Sequence, residues 1–354
     1  MGISKIKSEI FLSQEIEIKL SEIIDAYTSG KIFLATEDTV KKLCQPHIQN
    51  LIEREGIKEI LIPSGEQNKK IESVGIIWEF LSKNGADRKS VLINLGGGML
   101  TDLAGFAATT FKRGIDFINI PTTLLSQVDA SVGGKTGINF NGLKNEVGTF
   151  CEPNAVLINV DFLKTLDSKN FVSGFAEMIK HGLIKSPDHL AELEKFDLEK
   201  IQYEKLEEII GHSVDIKKYF VENDPIEKGI RKALNFGHTV GHAFESLAME
   251  QNRAVLHGYA VAFGMIAELY LSVKKTGFPE DEFRKLVKWI KRIYGKFEIR
   301  TEDFDRLYEL MTHDKKNENG RINFTLISQV GDFCINQDCS KTEILEVLNY
   351  FRQV

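Results

Sequence analysis

His238 and His242 stand four residues apart in the segment ALNFGHTVGHAFES (233–246), each preceded by a glycine. At that spacing two side chains share one helix face and can grip a single metal ion. The zinc-protease arrangement needs a glutamate directly after the first histidine, and Thr239 occupies that place. Two further candidates lie nearby: His257 in LHGYAVAFGM, and Glu177 among Phe175, Met178 and Ile179 in GFAEMIKHGLI. A carboxylate in so apolar a run is costly to bury unless it is paired or bound to a cation. Glu177 with two of the three histidines would supply three protein ligands and leave one position open for substrate, the pattern of a catalytic zinc. From spacing alone, ordinary helix histidines are an equal alternative.

A second chemical feature is LINLGGGMLTDLAGFAA (92–108), an apolar strand running through Gly96, Gly97 and Gly98 into a helix whose first turn is expected to carry Asp102. Glycines there let backbone approach a phosphate, and the N–H groups of a helix start favour an anion. The segment is neither the GxGxxG fingerprint nor a GK[ST] loop, so a ligand-free turn is the competing explanation. Asp102 would then only complement the helix dipole. Downstream, PTTLLSQVDASVGGKTGINFNGLKNEVGTF (121–150) gathers Asp129, Lys135, Lys144 and Asn145 around another glycine pair. Cations converging on one segment suit a multiply charged substrate. Such composition is also what a solvated loop contains, yet VGGKTG follows an apolar helix-like run and precedes GINFNG, which has strand and turn chemistry. Arg113 in TFKRGI reads equally as a surface or capping residue.

These groups need elements to hold them. Short β-rich runs at 31–36, 59–64, 90–97, 117–123 and 155–160 alternate with amphipathic stretches such as 69–84 and 100–109. That alternation predicts a parallel sheet covered on both faces by helices, with ligands at the carboxyl ends of its strands. After about residue 167 the pattern turns to helical periods near 170–185, 204–222, 231–249, 256–275, 280–294 and 303–312, then a β-rich 321–327 and a helix at 341–352. We therefore expect an α/β domain over 1–167 and a mostly helical domain over 168–354, with substrate in a cleft between them.

Bulk properties narrow the partners. The chain has 354 residues and a net charge of −6, without the basic excess of a nucleic-acid-binding surface. Its four cysteines form neither a disulfide framework nor a CxxC pair. No apolar run approaches a membrane span, and MGISKIKSEIF lacks a signal-peptide core. A soluble, cytoplasmic protein with no nucleic-acid or membrane partner is expected.

In order and spacing, GGGMLTDLAGFAA, FKRGIDFINIPTTLLSQVDASVGGKTGINF, LKNEVGTF, SGFAEMIKHGLI, GIRKALNFGHTVGHAFES and LHGYAVAFGM closely resemble the 3-dehydroquinate synthase family over about residues 60–330. The resemblance implies a Rossmann-like parallel-sheet domain followed by a helical metal-binding domain. It also implies NAD and one divalent metal, zinc or else cobalt, and conversion of 3-deoxy-arabino-heptulosonate 7-phosphate to 3-dehydroquinate and phosphate. By that resemblance Glu177, His238 and His257 would bind the metal and His242 would be catalytic beside it, which replaces the 238/242 pairing that spacing allows. NAD would meet Gly97, Gly98, Asp102, Thr122 and Thr123, with Asp38, Glu66 and Lys69 nearer its adenosine end. Asp129, Lys135, Lys144 and Asn145 would serve substrate, catalysis and in part the cofactor. Lys180, Lys217, Arg231 and Asn235 would hold substrate, and Arg113 would reach the phosphate from a neighbouring subunit of a homodimer. A family lysine corresponds to Lys315 or Lys316. Two departures, Pro225 where an acid is usual and Asp167 where proline is common, touch no implied ligand.

Alternatives are another sugar-phosphate cyclase, a metal-dependent polyol dehydrogenase, or a non-catalytic binding protein. Polyol dehydrogenases continue the glycine turn as GGGxxxDxAK, and Gly105 stands at that lysine position.

Overall fold

The computed structural model describes residues 8–27, 30–141, 143–312 and 322–353; Lys315 and Lys316 lie outside them. The chain divides into two compact units, 1–167 with 203–207, and 168–202 with 208–354.

The strands of the first unit are β1 (Glu9–Leu12), β2 (Ile32–Thr36), β3 (Lys58–Leu61), β4 (Val91–Gly96), β5 (Asp116–Pro121), β6 (Lys135–Phe140), β7 (Leu143–Phe150) and β8 (Ala155–Ile158). Six of them form one parallel sheet in the order β1-β8-β5-β4-β2-β3. Successive residues of a strand face opposite sides. Leu34, Ile93 and Ile118 accordingly pack with α1 (Ile16–Ile24) and, beyond the short helix α2 (Asp38–Leu43), with α3 (Gln49–Glu55). Their neighbours Phe33, Leu92 and Phe117 pack with α4 (Ile71–Lys83) and α5 (Gly98–Thr110). The sheet order turns back between β2 and β4, and the residues that follow them, Glu37, Asp38 and Gly97, stand at the carboxyl edge where such folds bind ligands.

Residues 121–150 are not one solvated loop. They contain a π-helical turn, Ser126–Ala130, and an antiparallel hairpin in which Lys135 pairs with Phe150 and Thr136 with Thr149. The strand and turn chemistry of GINFNG corresponds to β6 and the hairpin turn, whereas β7, exposed along most of its length, shows no buried face and gave no signal. Asp102 is the fifth residue of α5 and so belongs to its second turn, not its first.

The second unit contains α6 (Ser168–Lys185), α7 (Pro187–Lys195), α8 (Tyr203–Asn223, of which 203–207 count with the first unit), α9 (His238–Glu250), α10 (His257–Lys275), α11 (Glu280–Tyr294), α12 (Phe304–Thr312) and α13 (Lys341–Gln353). A hairpin of β9 (Asn323–Gln329) and β10 (Asp332–Asp338) completes it. The helical period read over 231–249 is broken: Ile230–Asn235 is a 3-10 turn, and Gly237, at φ 81°, separates it from α9. Among the described residues no helix is long and apolar enough to cross a membrane.

Candidate active site

Three helices of the second unit bring the metal-ligand candidates together. Glu177 lies mid-way along α6, while His238 and His257 are the first residues of α9 and α10. Close approach of these helices depends on glycine. A Cβ on Gly258 would stand 1.8 Å from the carbonyl oxygen of Ser173, one turn before Glu177, and the Gly258 N–H donates to Ser173 Oγ at 3.0 Å. Gly237 takes a left-handed conformation where a Cβ would also meet Val261 O at 2.9 Å. The α9 start is fastened by the buried Glu268, whose carboxylate accepts the N–H groups of Gly237 and Val240 at 2.7 and 3.2 Å.

Glu177 is wholly buried, and its Oε1 has no hydrogen-bond partner. That atom lies 3.5 Å from His238 Nε2 and 3.6 Å from His257 Nε2. Ligands about 2.0–2.1 Å from a tetrahedral zinc are themselves about 3.3–3.4 Å apart, so both separations from Glu177 Oε1 are close to those a divalent ion requires. His238 Nδ1 is 3.2 Å from the Phe236 carbonyl, an arrangement in which Nδ1–H donates and Nε2 keeps its lone pair for the ion. His257 Nδ1 faces Glu245 Oε2 at 3.6 Å. The ring of His242 is 5.3 Å from that of His238 and 5.8 Å from that of His257. Nitrogens of the three histidines also fall within 4.8 Å of one another, so His242 adjoins the same point.

Electrostatics suits a cation. Burial pushes the Glu177 carboxyl up, but the Lys180 ammonium, ion-paired to Oε2, and His257 outweigh it and hold the group well below the usual carboxylate range. Burial pushes His257 down, whereas Glu177 and Glu245 together raise it to about 10. Lys180 and Lys217 are both buried in this unit. Arg231 is buried on the 3-10 turn and donates to the Pro225 carbonyl at 2.7 Å, so the departure at Pro225 does touch a residue implied for substrate, contrary to the sequence expectation. Its loop is closed by Asp224, which accepts the N–H groups of Lys228, Gly229 and Arg231 at 3.0, 2.6 and 3.1 Å. Burial raises the Asp224 carboxyl, and these bonds bring it below its ordinary value. Asn235 donates to Glu227 at 2.9 Å.

The first unit assembles a polar network of its own. Lys69 Nζ, almost fully buried, donates to Asp102 Oδ2 at 2.6 Å and to Asn145 Oδ1 at 2.5 Å. Asn145 adopts φ 50°, and its N–H is held by Asn139, which also donates to Glu66 at 2.8 Å. Residues from three separate segments, Glu66 with Lys69, Asp102, and Asn145, thus meet beside the glycine turn. Thr122 N–H donates to Gly96 O at 2.9 Å, and Thr123 Oγ1 is bonded to Ser126 at the start of the π-helical turn that carries Asp129. Asp38 opens α2, Lys135 opens β6, and Lys144 lies on β7. Arg113 stands apart: it follows the far end of α5, a helix roughly 20 Å long, in a turn where Lys112 and Arg113 both have positive φ.

Sequence reasoning missed Glu245, although it lies in the histidine segment among the buried Ala243, Phe244 and Leu247 and carries the same costly-carboxylate signal as Glu177. It also missed Glu37, whose carboxyl is raised by burial and partly restored by hydrogen bonds from Ser64 and the Gly97 backbone.

A parallel-sheet unit followed by a largely helical unit is a fold that this chain shares with solved structures of a 2-epi-5-epi-valiolone synthase and of alcohol and glycerol dehydrogenases. The structure of 2-epi-5-epi-valiolone synthase from Streptomyces hygroscopicus, solved with NAD+ and Zn2+ bound, superimposes with a TM-score of 0.88 at 24% identity, covering 100% of this chain and 99% of that one. Glycerol dehydrogenase from Schizosaccharomyces pombe gives 0.70 at 13% identity, covering 98% and 89%. Within this fold, residues 59–173 match the model of the 3-dehydroquinate synthase N-terminal domain and 174–317 that of its C-terminal domain. The 3-dehydroquinate synthase of Parabacteroides distasonis is 49% identical over 347 residues, 98% of each chain, and that of Streptococcus suis 40% over 322 residues, 90% of each. The chain belongs to the 3-dehydroquinate synthase family.

Proposed function

We propose that this enzyme converts 3-deoxy-arabino-heptulosonate 7-phosphate to 3-dehydroquinate and inorganic phosphate, using NAD and one divalent metal, zinc or cobalt. The observation that carries the reading, beside family membership, is the unpartnered buried oxygen of Glu177 at 3.5 and 3.6 Å from two imidazole nitrogens. Glu177, His238 and His257 would hold the ion, which when bound supplies Lewis acidity to adjacent substrate hydroxyls. Gly97, Gly98, Asp102, Thr122 and Thr123 would hold NAD, with Asp38, Glu66 and Lys69 toward its adenosine; NAD supplies a hydride acceptor that is restored within each turnover.

The chain's own work is to bind, orient and move protons. Lys180, Lys217 and Arg231 are cations withdrawn from water, where their attraction for a carboxylate or phosphate is least screened. Asn235, Asp129, Lys135, Lys144 and Asn145 complete the substrate contacts in this reading. His242, beside Glu177, His238 and His257 but outside the proposed ligand set, would move a proton of a substrate hydroxyl. Ring closure is intramolecular, so holding the substrate in one pose lowers much of its barrier. We further assign Arg113, remote from the glycine turn of its own chain, to the phosphate site of the second subunit of a homodimer, and the enzyme to the cytoplasm.

Phosphate release from the heptulosonate phosphate tests the reading. Turnover should require NAD, cease with a chelator, and leave the NADH level unchanged at completion. Net accumulation of NADH would instead assign a dehydrogenase.

A further inference from the structure

A second group of metal-type donors lies outside the active-site residues, on α7 and the part of α8 that belongs to the helical unit. His189 and Glu192 are one turn apart on α7, and His212 faces them from α8. Glu192 Oε2 lies 2.8 Å from His212 Nδ1 and 3.8 Å from His189 Nδ1. One ligand atom from each of the three residues falls within 4.8 Å of the other two.

His189 is the unusual member. It is 2% exposed, and neither ring nitrogen has a hydrogen-bond partner. A neutral imidazole always carries one N–H and one lone pair, so burying both unpaired forfeits the hydration of each. Native structures rarely leave such a group without a purpose. Its backbone is well placed, with the N–H bonded to the helix-capping Ser186 at 3.2 Å, so the ring is fixed where α7 begins. The rings of His189 and His212 are 6.3 Å apart and nearly perpendicular.

We propose that His189, Glu192 and His212 form a second binding site for a borderline transition-metal dication of the zinc class. Two imidazoles and a carboxylate favour such an ion over magnesium or calcium, which take oxygen ligands. The two donor separations, 2.8 and 3.8 Å, straddle the about 3.3 Å of a tetrahedral zinc, so side-chain shifts of roughly half an ångström complete the set. Burial falls from His189 through Glu192 to the half-exposed His212, which leaves the remaining coordination position toward solvent. An ion here would clip α7 to α8 and take up a lone pair that now has no partner.

The test counts ions. Full-length enzyme, stripped with chelator and dialysed against free zinc buffered in the low micromolar range, is compared with His212→Ala, a substitution at a half-exposed side chain. Wild type should hold one equivalent more than His212→Ala, and His257→Ala should retain that equivalent. With cobalt in place of zinc, His212→Ala should lose one set of visible d–d bands while turnover stays at the wild-type level. Equal metal content in wild type and His212→Ala overturns the proposal. The comparison is a difference at His212, so it stands whether or not the Glu177 centre proves to bind metal.

Discussion

Glu177 Oε1 and His257 Nε2 face each other at 3.6 Å without a hydrogen bond, although the carboxylate is wholly buried. While the ring is protonated the two form an ion pair, and a divalent ion held between them would take the place of that proton. His242 adjoins the same point, and the proposed ligand set leaves it out. His257→Ala should therefore lose metal and turnover together. His242→Ala should keep its metal and lose turnover by about 100-fold or more, the usual scale for removing a proton-transfer group. Metal analysis of the two purified variants checks the contrast, and loss of metal from both would make His242 a ligand.

The His257 ring is drawn up to about 10 by Glu177 and Glu245, against the effect of burial. A proton on that ring competes with the ion, and it is present below the raised value. Glu177, held well below the ordinary carboxylate range, stays charged throughout and does not compete. Metal affinity should consequently rise as pH rises, with roughly one proton released per ion bound between about pH 7 and pH 9. Zinc titrations in several buffers measure this through the heat of buffer ionisation. An affinity flat across that range would mean that His257 is not bound through its ring.

Glu245 supports His257 from behind, with its Oε2 3.6 Å from Nδ1. Carboxylates in this relation orient the ring and raise its basicity. Glu245→Gln should weaken metal binding by about 10–100-fold while leaving the fold intact, because the amide keeps the shape of the side chain. Competition with a chromogenic chelator reads the change directly.

The buried strands announced themselves because a parallel sheet covered on both faces leaves runs such as VLINLG with no polar alternation. In the β6–β7 hairpin, β6 showed strand and turn chemistry at GINFNG, but β7 gave no signal, since it is mostly exposed and owes its place to pairing with β6 and not to a buried face. The break at Gly237 was equally silent: helical periodicity counts side chains, and the left-handed φ of one glycine becomes evident only when Val261 and Met265 press against it. At the site, residue chemistry pointed to Glu177 and the histidines, but not to which nitrogens meet the carboxylate. Glu268 was not distinguishable from any other helix glutamate until the N–H groups of Gly237 and Val240 were seen to end on it. His189 and His212 drew no attention because 22 residues of chain lie between them.

The Lys69–Asp102 pair anchors the polar network of the sheet unit at 2.6 Å, with the lysine 5% and the aspartate 19% exposed. Removing one partner from a buried pair leaves the other charge stranded, at a cost near 3 kcal/mol for full burial and about 2 kcal/mol here, where the aspartate retains some water. Lys69→Met should lower the unfolding free energy by about that amount. The double variant Lys69→Met/Asp102→Asn should lose distinctly less than the sum of the two single changes. Strict additivity in denaturant melts would show the pair to be uncoupled.

Gly105 separates this chain from polyol dehydrogenases, which carry lysine there, and the structure gives the reason for glycine. A Cβ at this position would stand 2.7 Å from Thr136 Cγ2 and 3.3 Å from a Phe117 ring carbon. Thr136 cannot easily retreat, because its hydroxyl is bonded to Thr149 Oγ1 at 2.7 Å across the hairpin. Gly105→Ala should destabilise the enzyme by about 1–3 kcal/mol, the usual range for overpacking a filled core. Adding Thr136→Ser to that variant removes the clashing methyl and should restore about half the loss or more, a rescue that the helix propensity of alanine alone would not require. Thermal melts of the single and double variants decide the matter. If Gly105→Ala is as stable as wild type, the close approach of α5 to β6 is not what demands glycine.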